Sequence, residues 1–477
     1  MDHGRLTSAE LTDAYLDRIG RLDPVLHSVL AVNRYARAAA AASDRRRAAG
    51  RSRGPLDGIP VLLKDNVDTA SMPTTAGSRA LLDAAAPADA TLVRRLRAAG
   101  AVLLGKTNLS EWANFRSAAS TSGWSAVGGQ TANPHVLDRN PCGSSSGSAA
   151  AVAASLCQVA IGSETDGSIV CPAGMTGVVG HKPSLGLVSR TGMVPISAAQ
   201  DTAGPMTRHV VDAAITLSVL QGRDRSDPAT LAYPDEQPTD YAALLGASPL
   251  RGARIGRWRL AGLGPEAGAV LTAAVRLLRD QGATVVDVEL PYQARIAELE
   301  YPVLRTEFHH EIDAYLATRA GSPTDLAGLI RFNREDPLEQ TCFATQDIFE
   351  QALAAPGPDE AGYRSDRAEL TDLARRSIDE VLAERRLDAI IAPTNPPAWL
   401  SNCATGDPKV ALSSTPPAVA GYPAITVPAG FAGPLPIGLT FLATRWADAR
   451  ILGYAAEFEK VSAARRPPRL RRTLGAG

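Results

Sequence analysis

Cysteine is scarce in this sequence and net charge is nearly absent. Five cysteines (Cys142, Cys157, Cys171, Cys342 and Cys403) are scattered over 477 residues, odd in number and without a C-x-x-C pair. That pattern argues against a disulfide scaffold and against a structural zinc site. A formal net charge of -1 gives no electrostatic reason to expect nucleic acid or an anionic membrane as partner. No apolar run approaches the roughly 20 residues that span a bilayer. The opening Met1-Asp2-His3-Gly4-Arg5-Leu6 lacks the basic start and apolar core of a signal peptide. The expectation is a cytoplasmic protein of enzyme size.

What is present is an ordinary globular composition, 45% hydrophobic and 21% charged, with enough chain for a large core. Thr7-Ser8-Ala9-Glu10 has the form of a capping box, followed by Leu11, Tyr15 and Ile19 at helical spacing. A second helix is expected from about Arg34 to Ala49. Gly58 to Val67 reads as a buried strand running into a polar end, 89–99 as a helix and 101–106 as the next strand. This βαβ rhythm favours an α/β fold, a large mixed β-sheet covered by helices on both faces. Short strands are expected at 177–180 and 185–188, and a helix at 212–221. Long helices are expected at 266–280, 294–318 and 365–386, with one strand at 284–290. Residues 387–393 and a hairpin formed by 423–427 and 436–443 read as strands returning to the core, before a last helix at 447–463. The chain is read as a single domain: a core over 1–225, a helical pocket region over about 249–386, and returning strands with a C-terminal helix over 387–477. The basic tail (Arg465, Arg466, Arg469, Arg471, Arg472) reads as a solvated end.

The informative stretch is Pro141-Cys142-Gly143-Ser144-Ser145-Ser146-Gly147-Ser148, taken with Gly162-Ser163-Glu164-Thr165-Asp166-Gly167-Ser168-Ile169. Glycine lets a backbone turn tightly, and serine hydroxyls attack, relay protons or cap helices. Gly/Ser tracts are commonly linkers, but the apolar run from Ala149 to Ile161 between these two does not suit one. Gly143 to Gly147 fits G-x-S-x-G with Ser145 at its centre. That elbow needs a strand before it, and Asp138 to Cys142 is turn-like; no HGGG-like oxyanion stretch is present either. A cysteine nucleophile at Cys142 or Cys171 has no evident partner base. A serine activated by lysine remains, provided burial keeps the amine neutral; a lowering of about three pH units costs about 4 kcal/mol. Lys64 stands at the end of an apolar strand, with Asp65 on the opposite face.

Lys64 in Pro60-Val61-Leu62-Leu63-Lys64-Asp65, the Gly143-Ser144-Ser145 loop and Asp166-Gly167-Ser168-Ile169 resemble the three active-site segments of the amidase signature family. Ser144 and Ser168 lie 24 positions apart, the spacing of that family. Gly105-Lys106-Thr107-Asn108, Gly180-His181-Lys182-Pro183, Gln200 to Met206 and Gly421-Tyr422-Pro423 match as well. The resemblance is nearest to the bacterial peptide amidase branch, on Ser110 to Ser117, Cys142 to Gly147 and Glu164 to Pro172. It implies Ser168 as nucleophile, Ser144 as a bridging serine in a cis peptide, and Lys64 as the base. It also implies an oxyanion hole from the backbone N–H groups of Thr165, Asp166, Gly167 and Ser168, with no metal or cofactor. Asp166 and Val170 replace residues of the commoner family form and argue against the glutamine amidotransferase component that works on charged tRNA. His181 and Thr176 also depart from the usual residues, His181 being expected as a packed residue supporting the site.

The function implied is hydrolysis of a peptide C-terminal amide or similar carboxamide through an acyl-enzyme. The alternative is an aryl acylamidase or a biosynthetic tailoring amidase or acyltransferase; a non-catalytic scaffold is disfavoured by the complete Lys64, Ser144 and Ser168 set. The helical region and the Trp112 to Trp124 stretch are expected to shape the pocket. Glu307, His309 and His310 are read as partly exposed helix-face positions.

Overall fold

The computed structural model describes residues 1, 4–246, 249–321, 323–410 and 412–474. An 11-stranded mixed sheet runs through it. Strand Pro60–Lys64 is parallel to Val102–Thr107 on one side and to Val159–Glu164 on the other. The helix Thr91–Ala98 makes the crossover between the first two, completing the expected βαβ unit. Beyond Val159–Glu164 lie Thr202–Thr207 and Val179–Lys182, both antiparallel joins, then the hairpin Ala424–Ala432 and Leu435–Leu442. Strand Ala389–Pro393 follows, and Arg254–Trp258 and Thr284–Val288 close the far edge. Strands from both ends of the chain therefore share one sheet.

The central strands read as continuous apolar runs because both faces are covered. Pro60–Lys64 is buried at every residue, the pattern expected of a strand sandwiched between helices. Val61 and Leu63 join the apolar cluster on one face; Leu62 joins the cluster on the other, with Ala149, Ala151 and Val152. The first helix, Ser8–Leu26, begins with the expected capping box: Thr7 Oγ1 accepts from Glu10 N–H at 3.0 Å and Glu10 Oε2 accepts from Thr7 N–H at 2.8 Å.

Several elements differ from expectation. The strand placed at 177–180 is Val179–Lys182, and Leu185 to Val188 forms no strand; Val188 meets Gln221 only in an isolated bridge. The serine-flanked apolar run divides into a helix, Ser146–Ala153, and a strand, Val159–Glu164. Short apolar runs carry no period that separates the two. The helical region also supplies strand Arg254–Trp258, whose two arginines masked it.

The cysteine reading is corrected by the fold. Cys142 is bonded to Cys171 and Cys342 to Cys403, across 29 and 61 residues of sequence, and Cys157 is buried and free. The odd count reflects that one buried thiol. Pairs so distant in sequence are legible only once the loops are folded together. Both cysteines considered as nucleophiles are consumed in a disulfide.

Candidate active site

By the two-residue period of a strand, Lys64 shares the face of Leu62, the side on which helix Ser146–Ala153 packs. Ser144 lies in the loop that enters this helix. Lys64 Nζ is 2.7 Å from Ser144 Oγ, 2.9 Å from Ser163 Oγ and 3.1 Å from Ser163 O. Asn66 Nδ2 donates to Ser163 Oγ at 2.8 Å. Lys64 is fully buried. That burial lowers its pKa to about 7, against the opposing pull of Asp201 and Glu164. Asp65 is turned away, as the alternation of a strand requires, and pairs with Lys106 at 2.7 Å.

The Ser144 loop is shaped by close approach. A Cβ on Gly143 would lie 2.1 Å from Ser110 Oγ, and one on Gly147 would lie 2.4 Å from Ser28 O. No side chain fits at either position. The Gly143–Ser144 peptide is cis. Ser145, the centre of the G-x-S-x-G match, is occupied as a brace. Its N–H donates to Ser168 O at 3.1 Å, its Oγ donates to Ser163 O at 3.0 Å, and that same Oγ accepts from Ser163 N–H at 3.2 Å.

The second loop turns at Gly167, whose φ is 77°, a left-handed conformation that glycine adopts readily. Glu164 Oε2 accepts from Ile169 N–H at 2.8 Å and Val170 N–H at 3.0 Å, folding the loop back onto its strand. Ser168 stands between that turn and helix Val170–Thr176. Burial raises the carboxyl pKa of Glu164, with the charge of buried Lys182 opposing it.

A third segment completes the walls. Trp112, Ala113 and Asn114 are consecutive left-handed residues with φ of 48°, 55° and 69°, a conformation that costs about 1–2 kcal/mol per non-glycine residue. Strain of this kind is concentrated at functional sites. Ser110 N–H donates to Ser144 O at 3.1 Å, which ties this segment to the serine loop. Ala113 then lines a narrow cleft together with Asn66, Ser144, Ser163, Thr165 and Asp201.

The long helix Gln293–Leu316 packs beside this site. Glu300 Oε1 accepts from Gln200 Nε2 at 3.1 Å, and Tyr301 stacks on Phe115 with ring centroids 6.4 Å apart. Burial, and next the charge of Asp166, pushes the Glu300 carboxyl well up. Glu307 departs from the expected half-exposed position. It is buried, paired with Arg367 at 2.5 Å, and accepts from Tyr363 OH at 2.8 Å. His310 is exposed and His309 half-buried, as expected. His181 is buried in the sheet, with Nε2 3.2 Å from Asp448 Oδ1. Among the described residues, no group of histidine, cysteine or acidic side chains is placed to hold a metal ion.

The structure thus brings Lys64 and Ser144 into contact and sets the Ser168 loop against them through Ser145. Sequence reasoning missed Ser163, Asn66 and Ser110 as partners. Asn66 had a signal, since it lies two residues beyond Lys64, in the turn that ends its strand. Ser163 had none, because strand register cannot be read from one sequence.

A buried lysine of lowered pKa beside paired serine loops defines a serine amidohydrolase. The chain matches the Amidase family over residues 10–452. It is 48% identical to the native peptide amidase of Stenotrophomonas maltophilia, with a TM-score of 0.95 over 98% of this chain and 96% of that one. A probable amidase of Arabidopsis thaliana is 39% identical over 98% of this chain and 89% of the relative. A glutamyl-tRNA(Gln) amidotransferase of Salinispora arenicola is 38% identical in the chain that matches, covering 98% of this chain and 96% of the relative. The chain belongs to the amidase signature family, and its chemistry is amide hydrolysis by a serine enzyme.

Proposed function

We propose that this amidase hydrolyses peptide C-terminal amides or similar carboxamides to the acid and ammonia or an amine. The observation that carries the mechanism is the fully buried Lys64 amine 2.7 Å from Ser144 Oγ. In this reading Ser168 attacks the amide carbon while its proton passes to Ser144 and that of Ser144 to neutral Lys64. The tetrahedral oxyanion faces the N–H groups of Thr165, Asp166, Gly167 and Ser168, where the left-handed Gly167 turns successive amides toward one side. The proton path run backwards protonates the leaving nitrogen, and water then releases the acyl group from Ser168. No step as written draws on a metal or a cofactor.

The peptide substrate rests on the higher identity to the Stenotrophomonas enzyme, 48% against 38% for the amidotransferase. A panel of peptide amides, aryl anilides and simple carboxamides tests it, with an added amine as competing acceptor. Fastest release of ammonia from peptide amides is expected; preference for anilides, or transfer to the amine over water, would overturn it.

With Lys64 as base, kcat/KM is expected to rise with pH and to reach half its plateau near pH 7. Protonated Lys64 cannot accept from Ser144, so activity is lost as pH falls through its pKa of about 7 and is full above it. A profile flat from about pH 5 to 9 would exclude this role.

On location, the two disulfides favour an oxidising compartment over the cytoplasm expected from the sequence. No described helix is long and apolar enough to cross a membrane.

A further inference from the structure

The two serine loops are joined by one covalent bond that the proton path does not use. Cys142 immediately precedes the Gly143–Ser144 peptide, and Cys171 lies just past Ser168 in the first turn of helix Val170–Thr176. Both half-cystines are held closely. Cys142 has a left-handed φ of 60°, its N–H donates to Asn140 Oδ1 at 2.7 Å, and its carbonyl accepts from Ser146 Oγ at 2.7 Å. Cys171 N–H donates to Gly167 O at 2.9 Å, inside the turn that presents Ser168. The disulfide packs among Val136, Met175, Ala398 and Leu435, a cluster separate from the one that holds the apolar residues beside Lys64. Ser144 is therefore pinned through its hydroxyl by Lys64 and through its backbone by the disulfide.

We propose that the Cys142–Cys171 disulfide is a positioning element of the amidase site, holding the Ser144 loop against the Ser168 loop so that the two hydroxyls stay in line for proton transfer. The inference rests on the assignment of Ser144 and Ser168 above. Its physical basis is the sensitivity of such a relay to distance. A displacement of about 1 Å costs on the order of 100-fold in rate, and without the bond the loops are joined by the hydrogen bonds of Ser145 and by Lys64, which bridges Ser144 Oγ and Ser163. Full turnover then belongs to the oxidised protein. The second disulfide, Cys342–Cys403, joins the helical region to the segment after Ala389–Pro393 and has neither half-cystine in a serine loop, which makes it a natural control.

The test compares C142S/C171S with C342S/C403S and wild type at a temperature well below all three melting points. Thiol titration in denaturant first establishes the starting state, one free thiol (Cys157) in the oxidised wild type. The expected result for C142S/C171S is a kcat at least tenfold lower with KM within twofold, an acid limb displaced from that of wild type, and slower labelling of Ser168 by a fluorophosphonate. C342S/C403S should keep kcat within twofold. A C142S/C171S enzyme that loses only melting temperature, with wild-type kcat, pH profile and labelling rate, overturns the proposal. Should that variant not fold, wild type is folded from denaturant with its thiols kept reduced by dithiothreitol or allowed to oxidise. Equal activity of the two preparations overturns the proposal, and activity that returns only with disulfide formation supports it. The labelling rate reads loop positioning whatever the preferred amide is. Oxidised wild type that is labelled at Ser168 yet hydrolyses no peptide amide would therefore count against the substrate reading alone.

Discussion

Ser168→Ala is expected to abolish turnover while leaving the fold intact, with kcat lowered by about 10⁶-fold, the scale seen when a serine hydrolase loses its nucleophile. Ser168 is 8% exposed and stands where a sharp turn meets a short helix. Its backbone is held by neighbours that the substitution does not touch, Glu164 on the following amides and Ser145 N–H on its carbonyl. Removing one hydroxyl from that position therefore removes the proposed attacking atom with little structural cost. The measurement is single-turnover hydrolysis together with fluorophosphonate labelling followed by intact mass. Retained labelling or near-normal hydrolysis in Ser168→Ala would move the nucleophile elsewhere. Ser145→Ala is the informative companion, because it deletes the hydroxyl at the centre of the G-x-S-x-G match and should leave labelling at Ser168.

Lys64→Met is the second large effect. Methionine preserves an unbranched chain of similar length in the fully buried slot and removes only the proposed base. The expected loss in kcat is about 10²–10⁴-fold, the range for a positioned general base, and the acid limb near pH 7 should disappear with it. Stability should change little, because two effects oppose. Ser144 Oγ and the Ser163 oxygens lose a partner, at about 1–3 kcal/mol for each buried group left unmade, while the fold no longer has to desolvate a lysine amine and lower its pKa. If Lys64→Met keeps an acid limb near pH 7, that limb belongs to another group and the role of Lys64 falls.

Much of the site was legible because its chemistry is local. Lys64 at the end of an apolar strand, and two serine loops separated by a run of small residues, are patterns along the chain. Fold class followed from the βαβ rhythm around 60–107 for the same reason. What was not legible depends on contacts between distant segments. Ser163 reaches Lys64 through the parallel pairing of Pro60–Lys64 with Val159–Glu164. Glu307 is buried because Arg367, sixty positions later, folds onto it. Both disulfides were obscured by the same distance, and Arg254–Trp258 was hidden because its two arginines, in a strand paired on both sides, resemble those on a helix face.

The helix Gln293–Leu316 beside the site is founded on the opposite end of the sheet. Chain order takes it from Thr284–Val288, the edge strand furthest from Lys64 on that side, back across to Gln200 and Phe115. This helix and the strands that carry Lys64 and Ser163 thus have separate anchorages. Reshaping residues 293–316 leaves the pairing of Pro60–Lys64 with Val159–Glu164 in place, so one sheet can carry different helices beside the same site.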